Sequence, residues 1–157
     1  MAANYFLKFS GVKGEVANLF HQDEIQLAGW GFRAFNFSSV ASGRGSGANK
    51  VTLEDFSFIS MFDKSSAQFF IRICKGMHIP NAVMTAEKAG SGVPWLEMTF
   101  KELFITGIQS DASYEIPAVN VSFSFEEVTI EYRIQDNKGL VTSTGPITYN
   151  RKENKLS

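Results

Sequence analysis

Cysteine is almost missing from this 157-residue chain: Cys74 stands alone, so no disulfide can close within it. That usage fits synthesis in a reducing cytosol. An excess of either charge is missing too. Fifteen Lys and Arg face sixteen Asp and Glu, for a formal net charge of -1, so no general basic field exists to hold nucleic acid or an anionic membrane. No stretch approaches the roughly 18 apolar residues of a membrane-spanning helix, and membrane insertion is not expected. The opening residues, MAANYFLKFSGVKGE, lack the basic start and apolar run of a secretory signal. The expectation is a soluble protein made in the cytoplasm which, if it is exported, leaves without a cleaved signal.

Phenylalanine is abundant, at 15 residues against 4 Tyr and 2 Trp. So many rings bury a large area while few carry a polar handle. They form an aromatic β core, or some of them serve contacts between subunits. The length suits one domain with a single sizeable core, here residues 1–150, followed by a polar tail at 151–157, RKENKLS, that is expected to fray.

Most of the pattern is β. Strands are expected over Tyr5–Phe9, Asp23–Ser38, Lys50–Phe62, Ala82–Lys88, Trp95–Ile108 and Val119–Ile134. Ala89-Gly90-Ser91-Gly92 supplies turn chemistry for one hairpin, and Asp136-Asn137-Lys138-Gly139 stops the last strand. One segment breaks the pattern. Ser65-Ser66-Ala67-Gln68 reads as a capping box, and Phe69, Phe70, Ile73, Cys74 and Met77 then share one arc of a helix over about residues 65–76, which Gly76 can end in a left-handed conformation.

Three of the long strands change phase. The apolar set passes from Ile25 and Leu27 to Trp30 and Phe32, from Leu53 to Phe56, and from Phe125 to Val128. A flat half-buried strand keeps one phase. The changes imply bulges, or a coiled barrel whose outer wall is covered by another copy of the chain.

Candidate chemistry is thin. His21 and Asp23 form an H-x-D pair with no further ligand near in sequence to complete a zinc set. His78 reads as a hydrogen-bonding or helix-end residue, and Cys74 as an inert buried thiol. Glu54-Asp55 and Glu126-Glu127 are adjacent in strands and point to opposite sides. Glu127, Glu131 and Arg133 share a phase, which reads as a polar face. No nucleophile, base and oxyanion hole assemble; the chain is not expected to be an enzyme, and no cofactor or metal is implied.

Between Ser39 and Asn49 lies a connection far longer than a hairpin needs, containing Ser42, Gly43, Arg44, Gly45, Ser46, Gly47 and Asn49. Its glycines superficially resemble a phosphate cradle, but a strand pattern follows where such a loop needs a helix. It is expected to be an arm that orders against another molecule.

Taken together, these segments resemble the Hcp family, the tube-forming proteins of type VI secretion. Phe6-Leu7-Lys8-Phe9 with Gly11-Val12-Lys13-Gly14-Glu15 is similar to the family's opening strand and turn. His21-x-x-Glu24-Ile25 with Leu27 and Trp30 follows at the same distance. Asp63-Lys64-Ser65-Ser66, Cys74-x-Gly76-x-His78-x-Pro80, Lys88-Ala89-Gly90 and Val121-Ser122-Phe123-x-Phe125 agree as well. Ala67 and Pro117-Ala118 depart from it.

The resemblance implies a mainly β, single-domain β-barrel with one flanking short α-helix and a long extended loop. It further implies hexameric rings stacking into a hollow tube, with contractile sheath proteins, a spike protein at the tip and effector proteins in the lumen as partners. The loop residues would then make ring or stacking contacts. Gly29 and Gly31, which strip side chains from one face around Trp30, would lie on the lumen or cargo face. A phage-type tail-tube protein and a monomeric barrel holding a small apolar ligand between its phenylalanines are the rival readings.

Overall fold

Two strands of 18 residues, Pro94–Asp111 and Ala118–Gln135, pair antiparallel from Leu96 opposite Tyr132 to Asp111 opposite Ala118. Around them the computed structural model describes residues 2–36, 51–112 and 115–157. In chain order the elements are β1 (Ala3–Phe9), β2 (Ile25–Gly31), β3 (Ala34–Phe35), β4 (Thr52–Leu53), β5 (Phe56–Met61), α1 (Lys64–Lys75), β6 (His78–Lys88), β7 (Pro94–Asp111), β8 (Ala118–Gln135), β9 (Val141–Ser143), β10 (Ile147–Asn150) and β11 (Lys155–Leu156). Strands β8, β5, β2, β1, β6 and β7 neighbour one another in that order, and β7 returns to β8. The sheet therefore closes as a six-stranded barrel and, within that ring, leaves no free edge.

The barrel is filled with rings. Phe56, Phe58, Phe69, Phe100 and Phe123 are at most 1% exposed. Phe56 lies 4.8 Å from Phe100 between centroids, and Phe100 meets Phe123 edge-on at 5.1 Å and 82°. Such pairs add about 0.5–1.5 kcal/mol each beyond the area they bury. These rings occupy the space between the strands and touch one another, which counts against a hollow barrel around a small apolar ligand. The other reading of the phenylalanines retains some ground, since Phe20, Phe62, Phe70 and Phe104 are exposed.

Each phase change has a local backbone cause. Against β5, the register of β2 shifts between Leu27 and Gly29. The step from Leu53 to Phe56 falls in the gap between β4 and β5. In β8 the buried set moves from Phe125 to Val128, directly opposite the same move in β7 from Leu103 to Phe100, and Glu102 between them holds a left-handed φ of 57°. Irregular geometry therefore accounts for the pattern, and a covering second copy is not required by it.

Several boundaries differ from expectation. The expected strand Asp23–Ser38 is two elements, β2 and β3, and Lys50–Phe62 is likewise β4 and β5, with β3 and β4 pairing as a separate two-stranded ribbon. Residues 37–50 lie outside the described residues. The tail does not fray: β11 pairs with β10, and Thr148 and Ser157 exchange two backbone hydrogen bonds of 2.8 Å. Helix α1 starts earlier than the expected capping box, at Asp63. The Asp63 carboxylate accepts from the Ser65 amide at 2.8 Å, while the Ser66 hydroxyl accepts from the Asp63 amide at 3.1 Å.

Gly76 ends the helix at φ 60°, as its place in the sequence suggests. The helix sits at one end of the barrel, so only part of its apolar arc meets protein. Phe69 is wholly buried, 5.0 Å from Phe9 and 5.9 Å from Phe58, whereas Phe70 is 59% exposed. Cys74 is exposed as well, which corrects the expectation of a buried thiol.

Candidate functional site

On the outside of the barrel, β2, β5, β8 and β7 form a continuous wall. Because side chains alternate along a strand, the residues between the buried ones face outward together. Gly31 pairs with Ser57, Gly29 with Ile59, Ile59 with Asn120, and Asn120 with Gln109. Gly29, Gly31, Ser57, Asn120 and Ser122 give this wall short, uncharged side chains or none, with the apolar Ile59 among them and Gln109 bound to the Asp111 carboxylate at its edge. Gly31 and Gly29 are thereby placed on one face.

Neither glycine has a positive φ, so the backbone does not demand glycine at either position. A Cβ on Gly29 would meet no atom within 4 Å, and one on Gly31 would come 3.1 Å from the Ser57 hydroxyl. Space and backbone thus leave Gly29 open to a side chain and Gly31 nearly so, beside the register shift of β2.

The arm residues Ser42, Gly43, Arg44, Gly45, Ser46, Gly47 and Asn49 lie outside the described residues. What flanks them is described. Between the β3–β4 ribbon and the end of β8 lies an apolar slot of about 350 Å³, lined by Phe32, Val51, Leu53, Val128, Ile147 and Leu156 among others. Ile147 and Leu156 on its rim are 57% and 69% exposed.

The histidines have carboxylate neighbours that the sequence did not pair with them. His21 does not join Asp23, which instead faces Lys13 at 3.6 Å. Its Nδ1 meets Glu24, its Nε2 lies 2.9 Å from Glu87 Oε2, and its ring stacks on Phe6 at 3.9 Å and 9°. The H-x-x-E spacing marked Glu24, but Glu87 is 66 residues away and no local pattern pointed to it. His78 opens β6 two residues past the Gly76 cap of the helix, as its place in the sequence suggests. It contacts Glu102 and lies beside Phe104, consistent with a hydrogen-bonding role. The expected polar face on β8 also forms: Arg133 lies 2.9 Å from Glu131 and 3.8 Å from Glu97, while Glu127 faces Lys101 at 3.3 Å.

Residues 6–132 match the family model described as type VI secretion system effector, Hcp. The chain belongs to the Hcp family. Protein hcp1 of Pseudomonas aeruginosa is 32% identical over 153 residues, covering 95% of this chain and 94% of that protein. Among solved structures, Hcp1 from Salmonella typhimurium superposes with a TM-score of 0.81 at 27% identity, with the whole of both chains covered. A structure described as a type six secretion system protein reaches a TM-score of 0.91 at 22% identity, over 99% of this chain and all of that one, and supports the Hcp barrel as a fold. The match with the family model runs from Phe6 within β1 to Tyr132 within β8, and so takes in part or all of every strand of the closed barrel.

Proposed function

We propose that this chain is the structural subunit of a type VI secretion tube. Six copies close into a ring, rings stack into a hollow tube, and the β2–β5–β8–β7 wall faces the lumen. A contractile sheath propels the tube behind a spike, and effector proteins travel inside it. The observation that carries this reading, in a chain of this family, is the wall itself: Ser57, Ile59, Asn120 and Ser122 surround Gly29 and Gly31, and the carboxylates of Asp111 and Asp55 stand at its margin, bound to Gln109 and Thr106. Such a surface offers hydrogen bonds and close approach to varied cargo without a strong field to trap one partner. Ring closure satisfies a head-to-tail interface without leaving an open end.

The arm Ser39–Asn49 makes the contacts between subunits or rings in this reading, and the chain works by assembly rather than by catalysis. Made in the bacterial cytoplasm, it leaves through the apparatus it builds. Among the described residues no helix is long and apolar enough to cross a membrane.

Light scattering coupled to size-exclusion chromatography tests the ring. A mass six times the 17.4 kDa of the chain is expected, and a concentration-independent monomer refutes it. Gly29→Gln tests the wall, because the added side chain enters open space. Ring and fold should survive while association with an effector falls; unchanged effector association refutes the lumen assignment.

A further inference from the structure

Residues 14–24 cross the outer face of β1 and β6 as a strap that is tied to itself and to the barrel. Within it the Gly14 amide donates to the Asp23 carbonyl at 2.8 Å, Asp23 donates to Val16 at 3.0 Å, and His21 donates to Asn18 at 3.0 Å. Glu15 ties it to the start of α1, its carboxylate accepting from the Lys64 amide at 3.1 Å, and on β1 and β6 it is held by His21, 7% exposed, stacked on the outward-facing and buried Phe6 and lying between two carboxylates. Glu87 is fully buried, and its second oxygen, Oε1, meets no donor among the described residues. The His21 ring is thus the side chain that answers a carboxylate with no access to water, and burial without such a partner is costly.

Two ring-nitrogen contacts to two carboxylates need two protons. Either an imidazolium sits between two ionised groups, or a neutral ring faces one ionised and one protonated carboxyl. Both arrangements hold the same number of protons. The neighbouring charged groups have partners of their own: in the strap Glu15 accepts from the Lys64 amide and Asp23 faces Lys13, and on β7 Glu97, opposite the uncharged Thr85 of β6, faces Arg133; among the described residues Lys8 of β1 makes no ion pair with either carboxylate. With the strap released into water at pH 8, an imidazole is neutral and both carboxylates are ionised. The closed strap therefore holds one proton more than the open one.

We propose that His21, Glu24 and Glu87 form a proton-held clasp, so that the strap 14–24 is closed at mildly acid and neutral pH and released as pH rises further. By linkage, a difference of one proton lowers the closed-to-open ratio up to about tenfold per pH unit. Release uncovers Phe6 and Glu87 and remodels the neighbouring groove of about 560 Å³, which is lined by Phe6, Glu15, Val16, Asn18, Ile25 and Phe62 among others. It also moves the strap's tip, where Leu19 is 87% exposed.

Hydrogen exchange of the full chain from pH 6 to 9, corrected for intrinsic rates, reads the clasp directly. Protection of the Gly14, Val16, His21 and Asp23 amides should fall with pH, approaching about tenfold per unit, while amides of β1 and β6 hold theirs. Glu87→Gln is the decisive variant. A neutral His21 can then donate from Nδ1 to Glu24 and accept the Gln side-chain amide at Nε2, so the strap stays protected and the slope vanishes. Glu24→Gln makes the mirror-image arrangement and serves if Glu87→Gln does not fold. Strap protection independent of pH in the wild type overturns the clasp, and so does a folded Glu87→Gln or Glu24→Gln variant that keeps the wild-type slope.

Discussion

Replacing Phe69 with alanine tests how the single helix is fixed to the barrel. The ring is 0% exposed and reaches from α1 into the aromatic core, edge-on to Phe9 at 5.0 Å and to Phe58 at 5.9 Å. Its removal leaves a cavity bounded by strands closed into a ring, which cannot collapse freely, so the cost should lie at about 3–5 kcal/mol. For a chain of this size each kcal/mol shifts Tm by about 2–4 °C, which places the melting point about 6–20 °C lower. Cys74→Ala, one and a half turns along the same helix, removes an exposed thiol and should stay within about 0.5 kcal/mol of wild type. Urea unfolding followed by the fluorescence of Trp30 and Trp95 measures both. A loss below about 1 kcal/mol for Phe69→Ala, or an equal loss for Cys74→Ala, would refute this placement of the helix.

Other substitutions probe the local devices that set the elements. Asp63→Ala removes the N-cap of α1 and should cost about 1 kcal/mol in urea unfolding, while Asp63→Asn retains most of the stability. Gly76→Ala meets no atom within 4 Å, so its expected loss of about 1–2 kcal/mol comes from left-handed backbone strain alone, and a thermal melt matching wild type counts against that origin. Gly14→Ala would bring a Cβ to 2.3 Å from the Glu24 carbonyl oxygen, so the strap must shift; exchange protection at Val16 and Asp23 should drop while β6 keeps its own.

Much of the barrel was legible in the sequence because its determinants are local. The alternation in β1, β6, β7 and β8 names the buried residues directly, and the turn at Asp136-Asn137-Lys138-Gly139 forms as its chemistry suggests, with the Asp136 carboxylate accepting from the Lys138 and Leu140 amides at 2.8 Å. What was missed depends on distant partners. Strands β9, β10 and β11 are two to four residues long and pair back along β8 or on each other, so no periodicity could show them, although Val141-Thr142 and Ile147-Thr148-Tyr149 carry β-branched and aromatic residues. Helix periodicity marked an apolar arc but not how much of it would meet protein, which misplaced Cys74. The Glu87 partner of His21 was out of reach for the same reason.

The arrangement separates what holds the fold from what meets other molecules. Stability resides in inward rings such as Phe56, Phe100 and Phe123, which contribute nothing to the outer surface. Along β5 buried rings alternate with outward positions, Ser57 after Phe56 and Ile59 after Phe58, so the wall can change chemistry without disturbing the core. Gly29 is the clearest case, with open space where a side chain would stand and a backbone any residue can adopt. A surface so weakly constrained by folding is one in which selection for cargo can act on its own. If the wall faces the lumen as proposed, a barrel of fixed interior suits a tube that passes different proteins. The clasp at His21 follows another logic: there an ionisable group is buried on the outside of the barrel, and folding and surface chemistry are coupled through one proton.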